Sequence, residues 1–189
     1  MALILASGSS IRRQMLEQAG IDHRVERPDV DESALKSAGA DVLKLAEEKA
    51  TFVSAQHPDD WVIGSDSMVS VDERQFDKPA DRDQAAEHLR FFSGKAMILT
   101  SAVALARNGK VEWSMKDEAR LQVRALGEQF IRDYLDLEWP EVSYCVGVFR
   151  LEGPGVQLFE SIDGSYFTIL GMPLLPLLEA LRERGLVAA

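Results

Sequence analysis

The chain opens on an apolar run, Leu3 to Ala6, that passes directly into Ser7-Gly8-Ser9-Ser10 and then into an amphipathic stretch beginning Ile11-Arg12-Arg13. Where a strand turns into a helix through small hydroxyl residues, backbone N–H groups are left open at the helix start, and the helix dipole favours negative charge there. The two guanidinium groups strengthen such an anion site. A second stretch, Val62-Ile63-Gly64-Ser65-Asp66-Ser67, ends a strand-like run on a carboxylate. Open α/β sheets place ligands just beyond the carboxyl ends of their strands, so a phosphate cradle and a strand-end Asp66 together point to phosphate chemistry.

The rest of the chain alternates helix and strand. The spacing of Ile11, Met15, Leu16 and Ala19 predicts a helix over 11–19 stopped by Gly20, and the stripe Val42, Leu45, Ala46, Ala50, Val53 predicts a second over 41–55, with Asp41 as cap. Strands are expected over 61–65 and 68–71. Asp81 with Gln84 resembles a capping box for a helix through Phe92. Segments 95–107 and 111–123 read as strands joined by a hairpin at Asn108-Gly109. Further helices are predicted over 127–134 and from Pro173 to Arg184, the second stopped by Gly185. Between them Gly147, Gly153, Gly155, Gly164 and Gly171 suggest tight turns around a ligand. A hairpin among helices argues for an α/β fold on a mixed sheet.

At 189 residues, 46% of them hydrophobic, the chain is the size of one globular unit with a substantial core. Its 21 basic residues against 31 acidic ones give a formal charge of -10, which repels a nucleic-acid polymer. A small polyphosphate needs a local basic cluster and a divalent cation to reverse that field. No run approaches the roughly 20 apolar residues of a membrane span, and no export signal precedes the first strand, so a soluble cytoplasmic protein is expected. The lone Cys145 excludes an internal disulfide and reads as a core thiol, because no activating base lies beside it. There is no P-loop pattern, and His23, His57 and His88 show no zinc-like spacing.

Lys49 falls on the apolar stripe of its predicted helix. Spacing leaves two readings open: a head that snorkels to water, or an amine that reaches phosphate oxygens. Asp31-Glu32 and Asp77-Lys78-Pro79 read by themselves as solvated surface and a turn.

The joint order of these segments carries more. Leu5-Ala6-Ser7-Gly8-Ser9-Ser10-Ile11-Arg12-Arg13, Asp29-Val30-Asp31-Glu32, Glu48-Lys49-Ala50, Gly64-Ser65-Asp66, Lys78-Pro79, Ser93-Gly94, Leu151-Glu152-Gly153, Gly164-Ser165-Tyr166 and Gly171-Met172-Pro173 resemble the Maf family of nucleotide pyrophosphatases, almost end to end. The resemblance implies a single domain over 1–189 with an elongated, curved mixed sheet similar to inosine triphosphate pyrophosphatases, and a cleft between two lobes. It implies cleavage of a nucleoside triphosphate to monophosphate and pyrophosphate with magnesium or manganese, in a homodimer. Ser7, Ser9, Arg12 and Arg13 match the family's phosphate loop, Lys49 and Lys78 its two lysines, and Glu32 and Asp66 its acidic positions. Asp66 is thereby assigned as general base, and Glu32 with Asp66 as metal ligands.

Glu152 bears on the substrate. The branch of the family that prefers 7-methyl-GTP resembles this chain in carrying Glu there, whereas the dTTP and UTP branch carries Gln. An acceptor-only carboxylate suits the donor edge of a cationic methylguanine better than an amide does. That branch often has an aromatic residue before the arginine pair and Gln after the catalytic Asp; here those places hold Ile11 and Ser67. Ser10 and Asp77 stand where the family usually has Pro and Gly. A pyrophosphatase acting on dTTP, UTP or modified pyrimidine nucleotides is the rival enzyme, and a non-catalytic nucleotide-binding regulator of cell division the rival from another class.

Overall fold

The computed structural model describes residues 2–188. Strand β1 (Leu3–Ala6) leads into helix α1 (Ser10–Gln18), whose N-cap Ser9 accepts from the Arg12 N–H. Then come β2 (Arg24–Glu26), α2 (Glu32–Ser37), α3 (Val42–Gln56), β3 (Trp61–Val71), β4 (Arg74–Phe76) and α4 (Arg82–Phe92). The chain continues through β5 (Ala96–Arg107), β6 (Lys110–Val123), α5 (Glu128–Glu138), β7 (Phe159–Asp163), α6 (Tyr166–Ile169) and α7 (Leu174–Glu183). The strands form one seven-stranded mixed sheet in the order β2-β1-β3-β5-β6-β7, with β4 paired to β3. β1 runs parallel to both β2 and β3, whereas β3/β4 and β6/β7 are antiparallel. An α/β fold on a mixed sheet is thus what the sequence led us to expect.

Two compact units divide the chain: Met1–Ser67, Ser101–Asp117 and Tyr166–Ala189 make the first, Met68–Thr100 and Glu118–Ser165 the second. In the first unit the faces of β3 sort by alternation. Trp61 and Ile63 join Leu3, Leu5, Met15, Leu16, Leu174, Leu177 and Leu181 in one core cluster, while Val62 joins Ile4, Ala6 and Val53 on the face covered by α3. Each such side chain fully buried contributes about 1.5–3 kcal/mol before the entropy of ordering it. Gly64 lies on the α3 face, where a Cβ would sit 2.2 Å from the Ala46 carbonyl oxygen. Only glycine lets α3 approach this closely.

In the second unit Phe76 packs edge-on against Phe92 and His88, with ring centroids 4.8 and 5.0 Å away. His88 Nδ1 is buried without a hydrogen-bond partner among the described residues, and burial holds the ring's pKa below its usual value, which keeps it neutral.

Several elements differ from expectation. β3 is one strand of 11 residues where two were predicted, because past its pairing with β1 it goes on to pair with β4. Asp66 therefore stands inside a strand, yet beyond the last residue paired with β1, Gly64 opposite Ala6. Helix α2 was not anticipated; Asp31 caps it by accepting from the Ala34 N–H. Helix α5 runs to Glu138 and not to Tyr134, since Ile131, Tyr134, Leu135 and Glu138 make one buried stripe with a carboxylate at its end. At the start of α4, Asp81 accepts from the Gln84 N–H, while the Gln84 side chain takes the N–H of Ala80 instead of that of Asp81. The Asn108-Gly109 turn has φ of 49° and 71°, the left-handed pair a two-residue hairpin requires.

Candidate active site

The loop between β1 and α1 is held by its own hydroxyls. Ser7, buried, accepts from the Ser9 N–H at 3.1 Å, and Ser9 Oγ accepts from the Arg12 N–H at 3.4 Å. The exposed Arg27 side chain lies against Gly8: a Cβ there would sit 2.6 Å from Arg27 Nε and push that guanidinium off the loop. Arg27 follows β2, and β2 pairs with β1 through Glu26 and Ala6, so its guanidinium reaches the loop from the neighbouring strand end. Sequence reasoning missed this cation. A three-residue strand leaves almost no periodic signal, and only the adjacency of β2 and β1 brings Arg27 to Gly8.

Lys49 settles between its two readings in an unexpected way. It is 6% exposed, so its head does not snorkel; Nζ lies 2.7 Å from Asp66 Oδ1 and 2.8 Å from Glu32 Oε1. One ammonium thus joins two carboxylates delivered by α2 and β3. Helix α3 can hold it there because Gly64, two residues before Asp66 on the same face of β3, admits the helix backbone. Asp66 is buried, while the Glu32 side chain is 46% exposed. A desolvated ion pair with one solvent-facing member remains open to a ligand that brings its own charge.

Arg12 is turned toward the opposite side chains of β3. Its Nε donates to the Gly171 carbonyl at 2.8 Å, Nη1 to the Ser65 carbonyl at 3.0 Å, and Nη2 to Ser67 Oγ at 2.9 Å. Burial lowers its pKa, opposed by Asp66 and then Glu32, which places both carboxylates within electrostatic reach while the guanidinium stays charged. Ser67 is also within 2.9 Å of Ser101 Oγ, and Ser101 donates to the Thr168 carbonyl. The Ser67 hydroxyl, which accepts from Arg12, also lies 3.1 Å from the Gly171 carbonyl, so its one proton has two acceptors within reach, Gly171 and Ser101. Glycine suits position 171 because of its φ of 108°, and a Cβ there would also crowd Ser67 Oγ at 3.2 Å. Ser67, singled out as a specificity position, is in this structure a partner of Arg12.

The remaining predicted residues are Arg13, Ile11, Lys78 and Glu152. Arg13 is exposed and pairs with Glu17 one turn on, at 3.3 Å. Ile11 is partly buried in the first turn of α1. Lys78 and Glu152, both exposed, belong to the second unit, where both act electrostatically on Cys145 and so share a neighbourhood. Burial pushes the Cys145 thiol up to about 11, Glu152 adds to the rise, and Arg150 and Lys78 oppose it, which leaves the thiol protonated and unreactive. A hollow of about 420 Å³ is walled in part by Asp29, Asp31, Glu48 and Phe52. Its three carboxylates repel a polyphosphate, and neither Lys49 nor Asp66 lines it.

Glu32 and Asp66 suit a hard divalent cation by their chemistry, as oxygen donors brought to one ammonium. No group of three or more His, Cys, Asp or Glu among the described residues could hold a metal alone.

A family model for Maf-like proteins matches residues 2–184. The chain belongs to the Maf family. Among curated relatives, a 7-methyl-GTP pyrophosphatase of Rhizobium etli is 46% identical over 98% of this chain and 97% of its own length. A nucleoside triphosphate pyrophosphatase of Paramagnetospirillum magneticum is also 46% identical, over 96% of this chain and 98% of its own length. Among solved structures this Maf chain is similar to the Staphylococcus aureus Ham1 protein, with a TM-score of 0.47 and 13% identity over 97% of this chain and 98% of that one. No helix among the described residues is long and apolar enough to cross a membrane.

Proposed function

We propose that this Maf protein is a nucleoside triphosphate pyrophosphatase that prefers 7-methyl-GTP. The observation that carries the reading is Lys49, buried and shared by Asp66 and Glu32 in the unit that also holds the Ser7–Ser9 loop. Curated relatives bearing that activity, matched over nearly their whole length, support the same reaction class.

In the proposed reaction a water oxygen bonds to the α-phosphorus, the bond from that phosphorus to the α,β-bridging oxygen breaks, and pyrophosphate leaves. Asp66 accepts the proton of the attacking water, with Lys49 holding its carboxylate in place through Oδ1. Ser7, Ser9 and the first turn of α1 receive phosphate oxygens, and Arg12, Arg27 and Lys49 offset the charge that grows on the leaving pyrophosphate. A divalent cation held by Glu32 and Asp66 would acidify the water and screen the phosphates. Arg13, engaged with Glu17, turns toward phosphate only if that exposed pair opens, which costs little.

Glu152 reads the base: its carboxylate accepts from the N1–H and N2–H donors of a cationic methylguanine. Comparing kcat/KM on 7-methyl-GTP, GTP, dTTP and UTP tests this. We expect Glu152→Gln to lower the preference for 7-methyl-GTP by about tenfold or more, the worth of a hydrogen bond to a charged group. Unaltered base preference in that variant removes Glu152 from recognition, and a wild-type preference for dTTP or UTP places the chain in the pyrimidine branch.

A further inference from the structure

Helix α5 buries two polar side chains one turn apart on the same face, Tyr134 and Glu138, 4% and 3% exposed. Both grip the segment that leads to Glu152. The Tyr134 hydroxyl donates to the Val148 carbonyl at 3.0 Å. Glu138 accepts a two-pronged bond from Arg150, Nε to Oε2 at 2.9 Å and Nη2 to Oε1 at 3.0 Å. What they hold is a strained backbone. Val148 has φ of 56°, a region a β-branched residue enters only when its surroundings force it, and such strain gathers at functional sites.

After Val148 the backbone is confined again. The Gly153 N–H donates to the Arg150 carbonyl at 3.2 Å, closing a turn over 150–153, and a Cβ on Gly155 would lie 2.5 Å from that same carbonyl oxygen. Glu152 rides on this turn and is exposed. Arg150 stands in the fields of both Glu138 and Glu152 but is bonded to Glu138, which also supplies the main cause of the rise in its pKa. A buried carboxylate is a costly anchor for a loop, and hydrophobic packing would serve stability as well. Its distinctive effect is to occupy a cation, Arg150, that stands next to the turn and could otherwise neutralise Glu152.

We infer that Tyr134 and Glu138 form a positioning clamp for base selection, in which Glu138 ties up Arg150 so that the Glu152 carboxylate stays available to a cationic base. This rests on the reading of Glu152 given above. Glu138→Gln releases Arg150 to pair with Glu152, so the variant behaves like Glu152→Gln. Removing the released cation as well restores Glu152.

The test measures kcat/KM for 7-methyl-GTP over GTP in the full-length chain. Expected are a fall of about tenfold in that ratio for Glu138→Gln, carried by KM, and recovery to within about threefold of wild type in Glu138→Gln/Arg150→Gln. A clamp that serves stability alone predicts the reverse, with the double variant no better than the single one, and that result overturns the inference. Tyr134→Phe removes one hydroxyl and guards against misfolding of the Glu138 variants; a severalfold loss of the ratio at unchanged kcat supports the clamp, and an unchanged ratio contradicts it. If Glu152→Gln itself leaves the ratio untouched, base reading and clamp fall together. If Glu152→Gln lowers it and Glu138→Gln does not, only the clamp falls.

Discussion

Asp66→Asn is expected to lower pyrophosphate release by about 10²- to 10⁴-fold while leaving the chain folded, the range general-base catalysis supplies. The amide has almost the shape of the carboxylate, and its oxygen can still accept from Lys49 Nζ, which lies 2.7 Å away in the parent. Lys49 also keeps Glu32 at 2.8 Å, so the ammonium is not left buried and alone. What the variant loses is the ability to take a proton from water. Thermal unfolding within a few degrees of the parent, alongside the collapse of kcat, is the combination that separates a chemical role from a structural one.

Lys49→Met is expected to cost both activity and stability. Methionine fits the apolar stripe of α3 but leaves the buried Asp66 carboxylate without its partner. Removing one member of a buried pair typically destabilises by about 3–5 kcal/mol; the low end applies here because Glu32 is half-exposed and can turn to water. Loss of turnover should match that of Asp66→Asn, and the double variant should lose little more, because residues that act as one unit are not additive. Chemical denaturation and steady-state kinetics on the three proteins check both statements. Multiplying losses in the double variant would mean that Lys49 and Asp66 act separately.

The parts of this account legible in the sequence are those set by local spacing. The β1–α1 turn, the Asp41 and Asp81 caps, the Asn108-Gly109 hairpin and the charge on the α3 stripe follow from residues within a turn or two of each other. The Arg13–Glu17 pair was equally local, and its spacing of four could have marked Arg13 as engaged. Other parts depend on which strands and helices become neighbours. Glu32 reaches Lys49 from a six-residue helix too short to show a period, and Arg27 reaches Gly8 only because β2 lies beside β1. Arg12 illustrates the limit of a motif. Its position just after the Ser7–Ser9 turn was plain, but its bonds run to Gly171 and Ser67, 159 and 55 residues away. Glu138 was hidden differently, since a predicted helix ending at Tyr134 stops one turn short of it.

The central claim is that the group formed by Lys49, Asp66, Glu32 and the Ser7–Ser9 loop cleaves a triphosphate between its α- and β-phosphates. The most direct measurement is product analysis of the purified chain with magnesium and 7-methyl-GTP in ¹⁸O-labelled water. We predict pyrophosphate without label and a monophosphate carrying one labelled oxygen. Orthophosphate with a diphosphate, label in the pyrophosphate, or tight nucleotide binding without any product would contradict the account.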